Sequence, residues 1–250
     1  MPTALHSVFM DLLRLTAWLV LLAAIFVPIE RLFALRPRKL LRAGLWEDIG
    51  LYFLSGLVPA LVLAAPMAAL IAVSHHMLPD AYFAWIEEQP LALRLIVSFV
   101  IGEIGFYWGH RWTHEVPLLW RFHAVHHRPD GLDWLVNTRA HPVDLVFVRL
   151  CGLTPLYLLG LAHSGGDGNL PAILVVIVGT VWGFFIHANI GWRLGWLEHV
   201  IASPRFHHWH HSRRDHINRN YASMLPPVDR LFGTHYLPKK DWPAEYGVSE

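Results

Sequence analysis

Five apolar runs, each long enough or nearly so to cross a bilayer, leave this chain of 250 residues little choice but a helical membrane fold. A crossing helix needs about 20 apolar residues. Residues 12–33, 49–73 and 91–109 meet that requirement. Two further runs, 143–162 and 170–190, flank the turn-like segment HSGGDGN. They carry Asp144, Arg149 and several glycines, so they read as a full hairpin or a shallower one. Charged residues are only 16% of the chain, against roughly 25% in a soluble domain. Too little polar surface is left for these runs to be buried helices of a soluble protein. The expected fold is therefore an all-α integral membrane protein with four to five transmembrane helices and a helical cap. No repeat or low-complexity linker divides it, so residues 1–250 read as one membrane-embedded domain.

Basic residues give the orientation. Loop 31–42 holds Arg31, Arg36, Arg38, Lys39 and Arg42, while loop 74–90 holds no Lys or Arg. Placing the first loop in the cytoplasm puts segments 110–142 and 191–250 there as well. Seventeen of the 20 basic residues then lie inside. Arg14, Arg94 and Arg149 fall within spans or at their ends. The net charge of +1 gives no electrostatic reason to expect nucleic acid. The single cysteine, Cys151, excludes an internal disulfide and a cysteine-built metal site.

Eighteen histidines are the anomaly, and fourteen of them fall on the predicted cytoplasmic side. His110 and His114 stand in HRWTH, His123, His126 and His127 in HAVHH, and His207, His210 and His211 in HHWHH. Spacings of three and four place side chains on one helix face, so each cluster presents two or three imidazoles together. Imidazole is the commonest metal-binding side chain, and eight exceed what one ion requires. Two ions with four or five ligands each would use His141 and His187 as well. His208 points about 100° away from His207 on a helix and is expected to support the ligands or lie on the surface. His199, His216 and His235 are expected to do the same, and His6, His75, His76 and His163 lie at the opposite end.

Carboxylates are scarce near these clusters. Glu103 shares a helix face with Tyr107, His110 and His114, and an ionisable group inside a span is costly. It is expected to hydrogen-bond a ligand histidine, or else to pair with Arg149 or another intramembrane group. Asp215, four residues after His211, is a second candidate of the same kind. Asn189 could bind a metal-held water. A cysteine-free, imidazole-rich site suits iron, copper, zinc or nickel, and zinc alone cannot activate O₂.

The stretches FYWGHRWTHEVPLLWRFHAVHH, NTRAHPVD, FIHANIGWRLGWLEHVIASPRFHHWHHS and NYASMLPPVDRLFGTHY resemble the fatty acid hydroxylase and sterol desaturase superfamily over residues 97–240. That resemblance implies a non-haem centre of two iron ions that uses O₂ to oxidise an unactivated C–H bond of a lipid. It carries metal-ligand roles to His110, His114, His123, His126, His127, His207, His210 and His211, and further to His141 and His187. Glu103 departs from the pattern, since such proteins often have Asp there. The chain has no flavin, nicotinamide or iron–sulfur signature, so a separate ferredoxin-like or b-type cytochrome donor is expected. Hydroxylation is the first reading and desaturation the alternative. A histidine-rich metal transporter fits less well, because transport needs ligands spread along a path across the bilayer. A non-catalytic scaffold that keeps the metals is the remaining alternative.

Overall fold

The computed structural model of the chain describes residues 2–163, 169–214, 216–239 and 241–248, and the backbone alone for residues 2–5 and Ala60. In chain order the helices are α1 (Pro2–Phe33), α2 (Leu45–Met77), α3 (Asp80–Glu88), α4 (Leu91–Glu115), α5 (Pro117–His127), α6 (Pro142–Leu158), α7 (Leu170–His187), α8 (Pro204–His210) and α9 (Pro226–Leu231). Short 3₁₀ turns at Trp134–Thr138 and Gly195–His199 complete the described secondary structure, with two isolated β-bridges. Asp215, a residue singled out above, lies outside the described residues.

Among the described residues, four helices are long and apolar enough to cross a membrane: His6–Phe33, Leu45–Met77, Leu91–Glu115 and Leu170–His187. Large apolar side chains such as Val20, Leu61, Ile96 and Ile173 point outward from them, as lipid-facing surface requires. The fifth run forms α6, whose 17 residues span about 25 Å. It is one residue shorter than α7, the other arm of the 143–190 hairpin. It packs closely on α4 through small residues. A Cβ on Gly105 would stand 2.3 Å from the Cys151 carbonyl oxygen, and one on Gly109 would stand 2.7 Å from the Cys151 Cβ. Glycine here lets two membrane helices approach backbone to backbone.

The C-terminal ends of α1, α4 and α7 meet the N-terminal ends of α2 and α6 at one end of the bundle, beneath the cap. Arg139 fastens the cap to α2, donating to Asp48 Oδ1 at 2.5 Å and to the Gly44 carbonyl at 3.1 Å. Arg42 pairs with Asp48 and Asp133. Leu35 N donates to the Asn189 carbonyl at 3.1 Å, tying the α1 exit to the α7 exit. At the far end, His75 and His163 pack on Phe83 of α3, well away from the cap as their sequence positions imply.

Local chemistry explains the turns that bring the histidines together. Val116, the residue before Pro117, is extended at φ −97° and ψ 114°, because the proline ring disfavours helix at its predecessor. Thus α4 stops and α5 starts within one residue, and His110 and His114 face His123, His126 and His127. Ser203 caps α8 by accepting from Phe206 N at 3.2 Å, with Pro204 in the first turn.

Candidate metal centre

Nine histidines converge beneath the cap in two groups. His110, His114, His123, His127 and His210 form one; His126, His187, His207 and His211 form the other. Within each group the nearest ring nitrogens all lie within 4.8 Å of one another. The groups touch, since the rings of His127 and His211 stack with centroids 4.3 Å apart. Eight of the nine are buried and His110 is half-buried.

The hydrogen bonds of the other ring nitrogens fix what points inward. His126 Nδ1 stands 3.1 Å from the Arg139 carbonyl and His187 Nδ1 stands 2.7 Å from the Gly183 carbonyl. A carbonyl only accepts, so each Nδ1 carries the hydrogen and each Nε2 of the neutral ring is a bare lone pair. Yet these two Nε2 atoms are 3.1 Å apart. His207 Nε2 and His211 Nε2 lie 3.1 and 3.2 Å from His187 Nε2 and 3.1 Å from each other. Lone pairs crowded this way repel unless a Lewis acid or proton lies among them. Imidazole nitrogens bound about 2.0–2.1 Å from a metal ion stand roughly 3.0–3.4 Å apart, which matches the observed spacing.

The group of five follows the same rule. His110 Nδ1 donates to the Tyr221 carbonyl at 2.7 Å and His210 Nδ1 to the Arg219 carbonyl at 2.8 Å. His123 Nδ1 stands 3.0 and 3.1 Å from the two oxygens of Asp144. His210 Nε2 is buried and lacks a hydrogen-bond partner among the described residues. Burial, reinforced by neighbouring imidazoles, holds His126, His127, His207, His210 and His211 well below their ordinary pKa. They are therefore neutral at pH 7, the form that binds metal. The donor set fits two ions, one with five imidazoles and one with four.

Three sequence expectations meet a different geometry, while His208 keeps its place outside the ligand groups. His141 stands in neither group. It caps α6, its Nδ1 accepting from Val143 N at 3.2 Å, because Pro142 begins the helix there. Glu103 is buried as expected but reaches neither a histidine nor Arg149. Its oxygens accept from Ser223 Oγ at 2.8 Å, Met224 N at 2.6 Å and Leu225 N at 3.0 Å. Asn189 brackets the loop after α1, accepting from Arg36 N at 3.1 Å and donating to the Arg36 carbonyl at 2.7 Å. His208 lies outside both groups, as its helical angle requires, but in the interior. It contacts the Tyr246 hydroxyl at 2.8 Å and the Ala188 carbonyl at 3.1 Å.

Asp144 was missed as the partner of His123. The signal was present, since Asp144 is a carboxylate in an apolar run just as Glu103 is. The carbonyl partners at Arg139, Gly183, Arg219 and Tyr221 leave no side-chain signature. Asn220 sets two of them. It adopts φ 57°, and its side chain bonds the Phe206 and Tyr236 backbones, which turns its neighbours' carbonyls toward His210 and His110.

A cavity of about 660 Å³ opens below the histidines. His110, His123, His126, His187 and His207 form part of its wall, and Phe106, Val148, Val175 and Ile186 supply apolar lining.

The chain belongs to the fatty acid hydroxylase family, whose pattern it matches over residues 95–234. It is 36% identical over 190 residues to the ornithine lipid hydroxylase OlsE of Rhizobium tropici, an alignment covering 75% of this chain and 54% of that protein. It is 32% identical over 148 residues to the alkylglycerol monooxygenase of Danio rerio, covering 58% and 31%. It is 29% identical over 161 residues to the Delta(7)-sterol 5(6)-desaturase ERG3B of Gibberella zeae, covering 59% and 43%. The alignments thus span about half of the first of these relatives and less of the others. No solved structure matches.

Proposed function

We propose that this protein is an O₂-dependent lipid hydroxylase working with two bound iron ions. The observation that supports this most is the pair of converging imidazole groups at the wall of an apolar cavity within a membrane helix bundle. His110, His114, His123, His127 and His210 would hold one ion, and His126, His187, His207 and His211 the other. Iron supplies the redox chemistry that activates O₂, which zinc lacks.

The chain's own residues orient and exclude. Asp144 and the carbonyls of Arg139, Gly183, Arg219 and Tyr221 hold five rings by their Nδ1 atoms, fixing each tautomer and direction. The cap resting on Arg42, Asp48, Asp133 and Arg139 closes the histidines off from the aqueous side. The apolar cavity admits a lipid chain and keeps bulk water from the oxidised carbon. One oxygen atom of O₂ enters a C–H bond and the other leaves as water, with two electrons and two protons taken up. The electrons come from a separate ferredoxin-like or b-type cytochrome donor, on the cytoplasmic face that the basic loops indicate.

Desaturation is the second reading, supported by the likeness to a sterol desaturase. Lipid mass spectrometry of cells with and without the protein separates the two. A lipid gaining one oxygen supports hydroxylation, and one losing two hydrogens supports desaturation. An unchanged lipid profile, with the protein metal-loaded and its donor present, would overturn both.

A further inference from the structure

Four charged side chains besides histidine line the cavity: Arg14, Glu103, Asp144 and Arg149. Three of them have partners within the protein. Arg14 pairs with Asp11 at 3.0 Å. Glu103 is engaged by Ser223, Met224 and Leu225. Asp144 is engaged by His123. Arg149 is different. Among the described residues its guanidinium makes no hydrogen bond, ion pair or stacking contact.

Its position makes that isolation informative. Arg149 is half-buried and is the eighth residue of α6, about 10 Å along the helix from its capped start. Asp144, Leu145, Val148 and Arg149 form one face of α6 and all line the cavity. Its neighbour Val148 packs against Gly109, one residue before His110, so Arg149 enters the largely apolar cavity close to the histidine level. An arginine at membrane depth is costly and is normally compensated by a partner. Among the described residues every cavity carboxylate is engaged elsewhere, which leaves the guanidinium open to an anion from outside the chain. Guanidinium presents a planar fork of donors suited to a carboxylate or phosphate.

Resting on the lipid-oxidation reading above, we propose that Arg149 binds an oxyanion of the substrate. The lipid is one whose carboxylate or phosphate enters the cavity along with the carbon to be oxidised, instead of staying in the headgroup layer. Arg149 is then the residue that selects charged over neutral lipids.

Equilibrium binding to the purified full chain in a neutral detergent tests this, with metal content measured first. The probes are dodecanoate, dodecyl phosphate and methyl dodecanoate. The unmodified protein should bind one or both anions roughly 10- to 100-fold more tightly than the ester, the scale of a hydrogen bond to a charged group. The tighter anion identifies carboxylate or phosphate as the headgroup chemistry. Arg149→Gln should level the three affinities while metal content is unchanged, and Arg149→Lys should keep part of the preference. Equal binding of anions and ester by the unmodified protein, or an undiminished preference in Arg149→Gln, would overturn the proposal. Should Arg149→Gln not fold, the unmodified protein and Arg149→Lys still decide. A metal content far below two ions per chain would instead count against the oxygenase reading, whatever the probes show.

Discussion

Asn220 Nδ2 donates to the Phe206 carbonyl at 2.8 Å, tying the loop after α8 to the helix that carries His207, His210 and His211. The same side chain donates to the Tyr236 carbonyl at 2.7 Å and accepts from Tyr236 N at 2.7 Å. Its backbone is left-handed, at φ 57°. Asn220→Gly keeps the backbone and loses the bonds, whereas Asn220→Ala loses the bonds and strains the backbone. Each buried group left unpaired costs about 1–3 kcal/mol, and the strained conformation costs roughly 1–3 kcal/mol more. Both variants should lower the Tm in detergent, Ala further than Gly. Equal Tm values for all three proteins would show that this turn does not support the histidines.

Among the described residues, Asp144 and His123 form the one carboxylate–imidazole pair at the site, 3.0 Å apart. A carboxylate behind a ligand histidine fixes its tautomer and raises its basicity. Asp144→Asn should weaken retention of the ion in the group of five by roughly 10–100-fold and leave the other ion in place. Chelator competition followed by elemental analysis checks this. Loss of both ions together would mean that Asp144 supports the whole cap.

The helices and most of the histidine set were legible in the sequence because both rest on spacing. Apolar runs of known length give spans, and intervals of three and four give shared faces. What was not legible depends on contacts between distant segments. Glu103 lies on the same face as His110, but the loop at 223–225 comes between, and no sequence interval reveals that. His141 reads as a ligand by its neighbourhood, yet Pro142 makes it a helix cap. Asn189 looks available beside His187, but Arg36 approaches it from 153 residues away. Site residues that point by helical phase were readable, and those held by tertiary hydrogen bonds were not.

His126, His208 and His141 separate three kinds of histidine. His126→Ala should strip the ion held by the group of four and abolish activity. His208→Ala should keep both ions but lower the Tm, since it leaves the Tyr246 hydroxyl and Ala188 carbonyl unpaired at about 1–3 kcal/mol each. His141→Ala should cost about 1 kcal/mol through the lost cap of α6, with metal content intact. Equal metal loss in all three would contradict the two-group arrangement.

Orientation is testable at two exposed positions. Ala81 lies on α3 at the far end, and Arg213 lies in the cap. Single cysteines placed there, in a background lacking Cys151, should label oppositely with an impermeant reagent in intact cells, with position 81 accessible. Labelling of position 213 alone would invert the topology and put the histidine groups outside.

Glu103 offers the sharpest contrast between a role through metal and a role through the backbone. Its Oε1 accepts from both Met224 N and Leu225 N, and its Oε2 accepts from Ser223 Oγ. Glu103→Gln retains one oxygen for the two backbone donors, and its amide can donate to the serine oxygen. That variant should hold both ions, with a Tm shifted by only a few degrees. Glu103→Ala strands two backbone N–H groups in the interior, at about 1–3 kcal/mol each. It should lower the Tm markedly and loosen the segment 221–225, whose Tyr221 carbonyl accepts from His110. Since Arg149 is not the partner of Glu103, adding Arg149→Gln should not rescue Glu103→Ala. Rescue by that double substitution would restore the ion-pair account. Metal loss in Glu103→Gln at an unchanged Tm would assign Glu103 to the histidines instead.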